Sequence, residues 1–261
     1  MQRAFSLIEL SIVLVILGLL AGGILAGQSL IRAAELRSVT ADFSRYSTAI
    51  RTFQDKYFAL PGDMANATRF WEVAYGNGAD AACYNFVSTT RATCNGNGNG
   101  RLFLSDGVSD ESAPEWYRAS QHLANAGLIE GTYTGTRDQA PRGATPGLNV
   151  PRGKISQTGF TFMSLDAPAN DPYWWAGRYD GFAFGVSTVT VESNGPALKP
   201  EEAWNIDTKL DDAKPAMGMV RNLRSNGLSC TTTTTATTAE YALTVQTKSC
   251  GMFMAINSPG N

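Results

Sequence analysis

The sequence predicts an α+β fold: a long N-terminal α-helix packed on a globular head with an antiparallel β-sheet. Two observations carry this. From Phe5 to Ile31 the chain is almost wholly apolar, and from Leu36 to Tyr57 apolar residues recur at alternating spacings of three and four. That spacing is the period of one helix face. Beyond Val150, runs of aromatic and β-branched residues alternate with polar ones, as strands do.

The helix begins as a membrane span. No charged residue lies between Glu9 and Arg32. At about 1.5 Å per residue, these positions make roughly 33 Å of helix, enough to cross a bilayer's hydrocarbon. Glu9 stands near the head of this run. An ionised side chain in a membrane core costs on the order of 3 kcal/mol, so it calls for a partner and a role. No basic residue lies one or two helical turns along the chain. A cut between Ala4 and Phe5 creates an α-amino group four residues before Glu9. In a helical stack, Glu9 of one copy then neutralises the Phe5 amine of the next.

Arg3 and the small residues from Ala21 to Gly27 also suit an ordinary secretory signal. Three features count against it. The apolar run is too long, it carries Glu9 near its head, and the helical pattern continues past its end.

The stretch Ala4-Phe5-Ser6-Leu7-Ile8-Glu9-Leu10, with the apolar run behind it, resembles the N-terminus of type IV pilins and type II secretion pseudopilins. The resemblance covers about the first quarter of the chain. It implies a short leader, residues 1–4, removed by a prepilin peptidase between Ala4 and Phe5. It also implies N-methylation of Phe5 and a part for Glu9 in filament assembly. Ala4 stands where the family usually has Gly, and Ala26 where many members have a helix-kinking Pro. Gly18, Gly22, Gly23 and Gly27 weaken the helix or let it pack closely. The domain plan that follows is leader 1–4, transmembrane and assembly half 5–31, amphipathic half 32–60 and head 61–261.

The amphipathic stripe is Leu36, Val39, Phe43, Tyr46, Ile50, Phe53 and Tyr57, with Arg37, Asp42, Arg45, Arg51 and Asp55 between them. A coiled coil gives the same spacing. The aromatics Phe43, Tyr46, Phe53 and Tyr57 and the short length favour packing against the chain's own head. Pro61-Gly62-Asp63 ends the helix. In the head, a short helix is expected over Ala65 to Tyr75 with Phe70, Trp71 and Tyr75 buried. A second is expected over Pro114 to Leu128 with Trp116, Leu123 and Leu128 inward, then a polar loop from Thr132 to Val150. Strands are expected at Phe160–Leu165, Phe182–Val191, Tyr241–Thr247 and Met252–Ile256. Pro200 starts a short helix through Ile206.

The formal net charge is −2, and charged residues are sparse. That argues against a broad nucleic-acid surface. Cys83, Cys94, Cys230 and Cys250 form an even set behind an export helix, where disulfides are the default. Three connectivities exist; proximity favours Cys83–Cys94 and Cys230–Cys250.

Two segments are weighed as calcium sites. Counting from Asn95, oxygen-bearing side chains fall at Asn95, Asn97 and Asn99, with Gly100 sixth and Asp106 twelfth. This echoes the twelve-residue calcium loop, but with a single carboxylate. The favoured reading is a Gly-rich turn after a cysteine. Asp207, Asp211 and Asp212 form an acidic cluster, read more readily as a turn with solvated carboxylates and Asx-type bonds. Tyr173, Trp174, Trp175 and Tyr179 form an aromatic knot, and Thr231 to Thr238 is nearly all Thr. Catalysis has little support. His122 is the one histidine, Ser120 is out of helical phase with it, and no nucleotide-binding fingerprint occurs.

The sequence thus points to a non-enzymatic pilus or pseudopilus subunit. Its expected partners are copies of itself or related pilins, a prepilin peptidase and an inner-membrane assembly platform. It is expected in the inner membrane first and in an extracytoplasmic filament afterwards. The alternative is a membrane-anchored surface-binding or adhesion domain.

Overall fold

The computed structural model of the 261-residue chain describes residues 7–78, 83, 86–102, 114–136, 143–168, 171, 173–188, 191–223 and 229–257. Helix α1 spans Leu7–Tyr57, 51 residues without a break, roughly 75 Å at the usual rise. Its two halves differ in burial. From Leu7 to Ile31 the large apolar side chains are all at least half exposed. In the second half Val39, Tyr46, Ala49, Ile50 and Phe53 are buried, while Leu36, Phe43 and Tyr57 pack on the same core from its edge. The three-and-four stripe is therefore the face that meets the head. Each fully buried large apolar side chain there contributes about 2 kcal/mol.

Strand β1 (Thr158–Ala167) pairs antiparallel with β2 (Gly177–Thr188) along its whole length. Strand β3 (Val191–Gly195) also pairs with β2. Strand β5 (Met252–Ala255) lies on β2's other side and carries β4 (Val220–Asn222), giving the path β1-β2-β5-β4. The register puts Phe162, Phe182, Met254 and Val220 abreast across four strands. The aromatic members of this row meet α1. Tyr46 packs edge-on to Phe160 at 5.0 Å and Phe162 at 5.8 Å, and Phe43 meets Phe182 at 5.8 Å.

Helix α2 (Pro114–Asn125) packs beside the end of α1, and α3 (Pro200–Leu210) along its middle. The Lys199 N–H donates to the Glu202 carboxylate at 2.9 Å and Pro200 follows in the first turn, so Glu202 caps the start of α3 from one side. Gly127 closes α2 with φ +74°. Disulfides join Cys83 to Cys94 and Cys230 to Cys250 across Cα separations of 5.9 and 5.2 Å.

Three expectations fail. The helix over Ala65–Tyr75 is one 3-10 turn, Ala67–Arg69. There the Thr68 N–H and hydroxyl both donate to the Asn95 side chain, and the Thr93 N–H donates to the Glu72 carbonyl. The backbone is used across the loop instead of along a helix. Only Trp71 of that segment's three aromatics is buried; Phe70 and Tyr75 are 55% and 49% exposed. Tyr241–Thr247 makes an isolated bridge, Thr231 to Tyr241, and no strand. Helix α3 also runs four residues beyond Ile206, because the Asp211 N–H still finds the Asp207 carbonyl at 2.7 Å.

Candidate functional site: the N-terminal helix and its clasp to the head

Ala4 and Phe5 lie outside the described residues. Glu9 sits in the first turn of α1, where the helix dipole favours a negative charge. The apolar face around it is open on all sides. Gly18, Gly22, Gly23 and Gly27 have nothing of this chain within 4 Å of a Cβ placed on them. The helix is long and apolar enough to cross a membrane. Left in water, such a surface far exceeds the few hundred Å² of contiguous apolar patch that a soluble monomer tolerates.

Arg32, the first charge after Glu9, fixes this rod to the head. Its Nε and Nη2 donate to the two carboxylate oxygens of Glu202 at 2.6 Å each. Nη1 donates to Glu35 at 2.9 Å, and Nη2 also reaches the Ala197 carbonyl at 3.3 Å. The fork-to-fork geometry is the strong form of an ion pair. Burial pushes the Glu202 carboxyl up, but the Arg32 hydrogen bonds, the Lys199 N–H and the charges of both residues together hold it below the usual range. The Glu202 bond in turn raises the Arg32 guanidinium. The clasp therefore stands where the exposed half of the helix ends and the buried half begins.

Among the described residues, the other candidates make contacts within the head. Asn95 accepts from Thr68, Asn97 from the Asn99 N–H and Asn99 from the Arg101 N–H. Asp106 lies outside the described residues. The loop is arranged around Asp63, which accepts the N–H groups of Gly98, Asn99 and Gly100 at 2.7, 3.0 and 2.8 Å. Gly96 must be glycine, since a Cβ there would fall 2.3 Å from the Asp63 backbone. Asp63 was missed as a loop anchor. The signal available was an acid directly after the helix-ending Pro61-Gly62.

Asp207, Asp211 and Asp212 do come together, with ligand oxygens within 4.8 Å of one another. Each also takes a backbone N–H. Asp207 accepts from Ala213 at 3.2 Å and from the Tyr241 hydroxyl at 2.8 Å. Asp211 accepts from Met219 and Val220, and Asp212 from Lys214 at 2.8 Å. Burial, then the neighbouring Asp212 charge, pushes the Asp207 carboxyl up to about 7 against the pull of the Tyr241 hydroxyl.

His122 is wholly buried, with Phe53 stacked at 6.2 Å and Trp71 at 5.2 Å. The Gly62 N–H donates to its Nδ1 at 3.0 Å, so Nε2 carries the proton and donates to Thr93 at 3.0 Å. Burial, then the Arg118 charge, pushes the imidazole down to about 3. It is a neutral strut between α2 and the end of α1. In the aromatic knot Trp175 and Tyr179 are buried and Tyr173 is 60% exposed; Arg221 lies 4.1 Å over the Tyr179 ring. Thr232 and residues 234–238 are exposed.

Residues 1–25 match the family described as the prokaryotic N-terminal methylation motif. This is the prepilin-type cleavage and methylation segment of type IV pilins and pseudopilins. No curated protein and no solved structure matches the chain. The long apolar helix on an α+β head is a pilin-like architecture, and the motif supports a substrate of a prepilin peptidase. The apolar helix and the motif fit anchoring in a membrane before assembly. The motif points to a structural subunit.

Proposed function

We propose that this protein is a structural subunit of a type IV pilus or a type II secretion-like pseudopilus. It is cut between Ala4 and Phe5, methylated at Phe5 and polymerised through residues 5–31. Its partners are copies of itself or related pilins and an inner-membrane assembly platform. The observation that carries this reading is the continuity of α1. The methylation motif opens a helix whose first half is bare on every face and whose second half is locked into the head.

Two terms drive assembly. Burying the apolar half of α1 against its copies removes a large area from water or lipid. Pairing Glu9 with the Phe5 amine of the next copy neutralises both charges in a low-dielectric core, where a lone charge is costly. Arg32 and Glu202 hold the head at one angle to the rod, so that each added subunit repeats the same geometry.

The test is Glu9→Ala in the native host. Membrane insertion of the chain stays intact and the yield of sheared filaments falls sharply. Filament yield equal to the wild type refutes the pairing.

A further inference from the structure

Between α1 and α2, residues 67–78 and 86–95 are tied together into a knob. The Thr93 N–H donates to the Glu72 carbonyl at 2.7 Å, the Ala74 N–H donates to the Thr93 carbonyl at 2.9 Å, and the Cys83–Cys94 bond closes the loop. Two adjoining clefts open on this knob, of about 660 and 430 Å³, and both are lined by Thr90 and Arg91. Arg91 and Thr90 stand between them, so the arginine is flanked by an aromatic side at Phe70 and a polar side at Asn125 and Thr132, and the pair is treated as one groove.

The chemistry of the groove is specific. Phe70 is 55% exposed, yet its ring is held edge-on against Tyr57 at 5.1 Å. An exposed ring with a fixed orientation is a stacking platform, and its electron-rich face attracts the C–H face of a sugar. Arg91 is also pre-set. Its Nη2 donates to the Asn125 carbonyl at 2.5 Å, and the Asn125 side chain donates back to the Arg91 carbonyl at 2.9 Å. Arg91 thus keeps most of its five donors for a ligand. The side chain of Arg69, at the aromatic end, makes no hydrogen bond or ion pair among the described residues and is exposed. The exposed hydroxyls of Thr89, Thr90 and Thr132 line the remainder.

We propose that this groove binds a segment of acidic polysaccharide, one sugar ring stacked on Phe70 and its carboxylates held by Arg69 and Arg91. An aromatic platform, bidentate cations and hydroxyls in one groove match a uronate-bearing glycan at each group. A single-stranded nucleic acid fits less well. Such a strand is held by successive bases stacked on several aromatic rings, while this lining offers Phe70 as its exposed ring, since Trp71 is buried. The inference goes beyond the filament reading and does not depend on polymerisation, since every residue involved lies in the head.

The test is calorimetry on the full-length protein in a sugar-free detergent, with three probes: oligogalacturonate, its methyl ester and a single-stranded oligonucleotide of equal charge. Oligogalacturonate binds, and its affinity falls with added salt. The methyl ester binds about a hundredfold more weakly, the loss expected for two charge-assisted contacts at about tenfold each. Arg69→Gln and Phe70→Ala each weaken oligogalacturonate by about tenfold without lowering the melting temperature. Tyr173→Ala, an exposed aromatic outside the groove, leaves binding unchanged. The proposal is overturned if oligogalacturonate does not bind, if the ester binds equally, if both groove variants bind like the wild type, or if the oligonucleotide binds more tightly.

Discussion

Acidification sets two buried groups of the head against each other, and each can be isolated. His122 is neutral in the fold, and its pKa falls from 6.5 to about 3. A base with a depressed folded-state pKa contributes stability that is complete above the unfolded value and is lost as the pH falls through 6.5 towards 3. The loss amounts to about 3 kcal/mol between neutral pH and pH 4, at about 1.4 kcal/mol per unit in the steep part. Asp207 acts in the opposite sense. Its folded pKa is raised from 3.8 to about 7, so its contribution is complete below 3.8 and is lost as the pH rises through 7. Its change over the same range is again about 3 kcal/mol, with the sign reversed. The two slopes nearly cancel in the wild type. The assay is urea unfolding of the full-length protein in detergent, followed by tryptophan fluorescence. All five tryptophans, from Trp71 onward, lie in the head. His122→Gln loses the Nδ1 acceptor for the Gly62 N–H and is less stable than the wild type at neutral pH, but this deficit shrinks as the pH falls to 4. Asp207→Asn shows the mirror image and loses stability relative to the wild type on acidification. A constant difference between His122→Gln and the wild type from pH 7 to pH 4 would refute the buried neutral imidazole.

Phe53→Ala removes the ring that contacts Tyr57, Trp71 and His122 and costs about 3–5 kcal/mol in the same unfolding assay; a loss below about 1 kcal/mol contradicts a stripe that anchors the rod. Arg32→Gln and Glu202→Gln form a double-mutant cycle whose coupling energy is about 1–3 kcal/mol, in keeping with a half-buried bidentate pair; additive effects contradict the clasp. Replacing Cys230 and Cys250 by Ser opens a loop with a sequence separation of 20 and lowers stability by about 3 kcal/mol in the chain-entropy account, read as a shift in urea midpoint. Calcium at millimolar concentration leaves the melting temperature unchanged, because the carboxylates of Asp207, Asp211 and Asp212 already hold their own loop together; a saturable upward shift, abolished by Asp211→Asn, would instead make that cluster a metal site.

Much of the architecture was legible because it rests on local periodicity. The stripe from Leu36 to Tyr57 is an uninterrupted helical pattern, and its members are the ones that pack on the core of the head. Phe160, Phe162, Phe182 and Phe184 alternate with small or polar residues, so β1 and β2 could be read from their own sequence. The failures lie where distant groups take over the backbone. Ala65–Tyr75 has helix-compatible residues, but Asn95 and Thr93 draw its amides into the loop. Strand β4 is three residues long and owes its existence to pairing with β5. The Asn/Gly loop read as a weak metal motif because its organiser, Asp63, lies more than thirty residues earlier. The groove beside Phe70 was hidden for the same reason, since Arg69, Arg91 and Asn125 meet only once α2 folds against the loop.

The central claim concerns the first few residues of the mature protein. Intact-mass and N-terminal peptide mass spectrometry of protein from its native membrane tests it most directly. The account predicts a chain that begins at Phe5 and carries a methyl group on its α-amine. A chain that retains Met1, or one that begins near Gln28 after an ordinary signal cut, contradicts it.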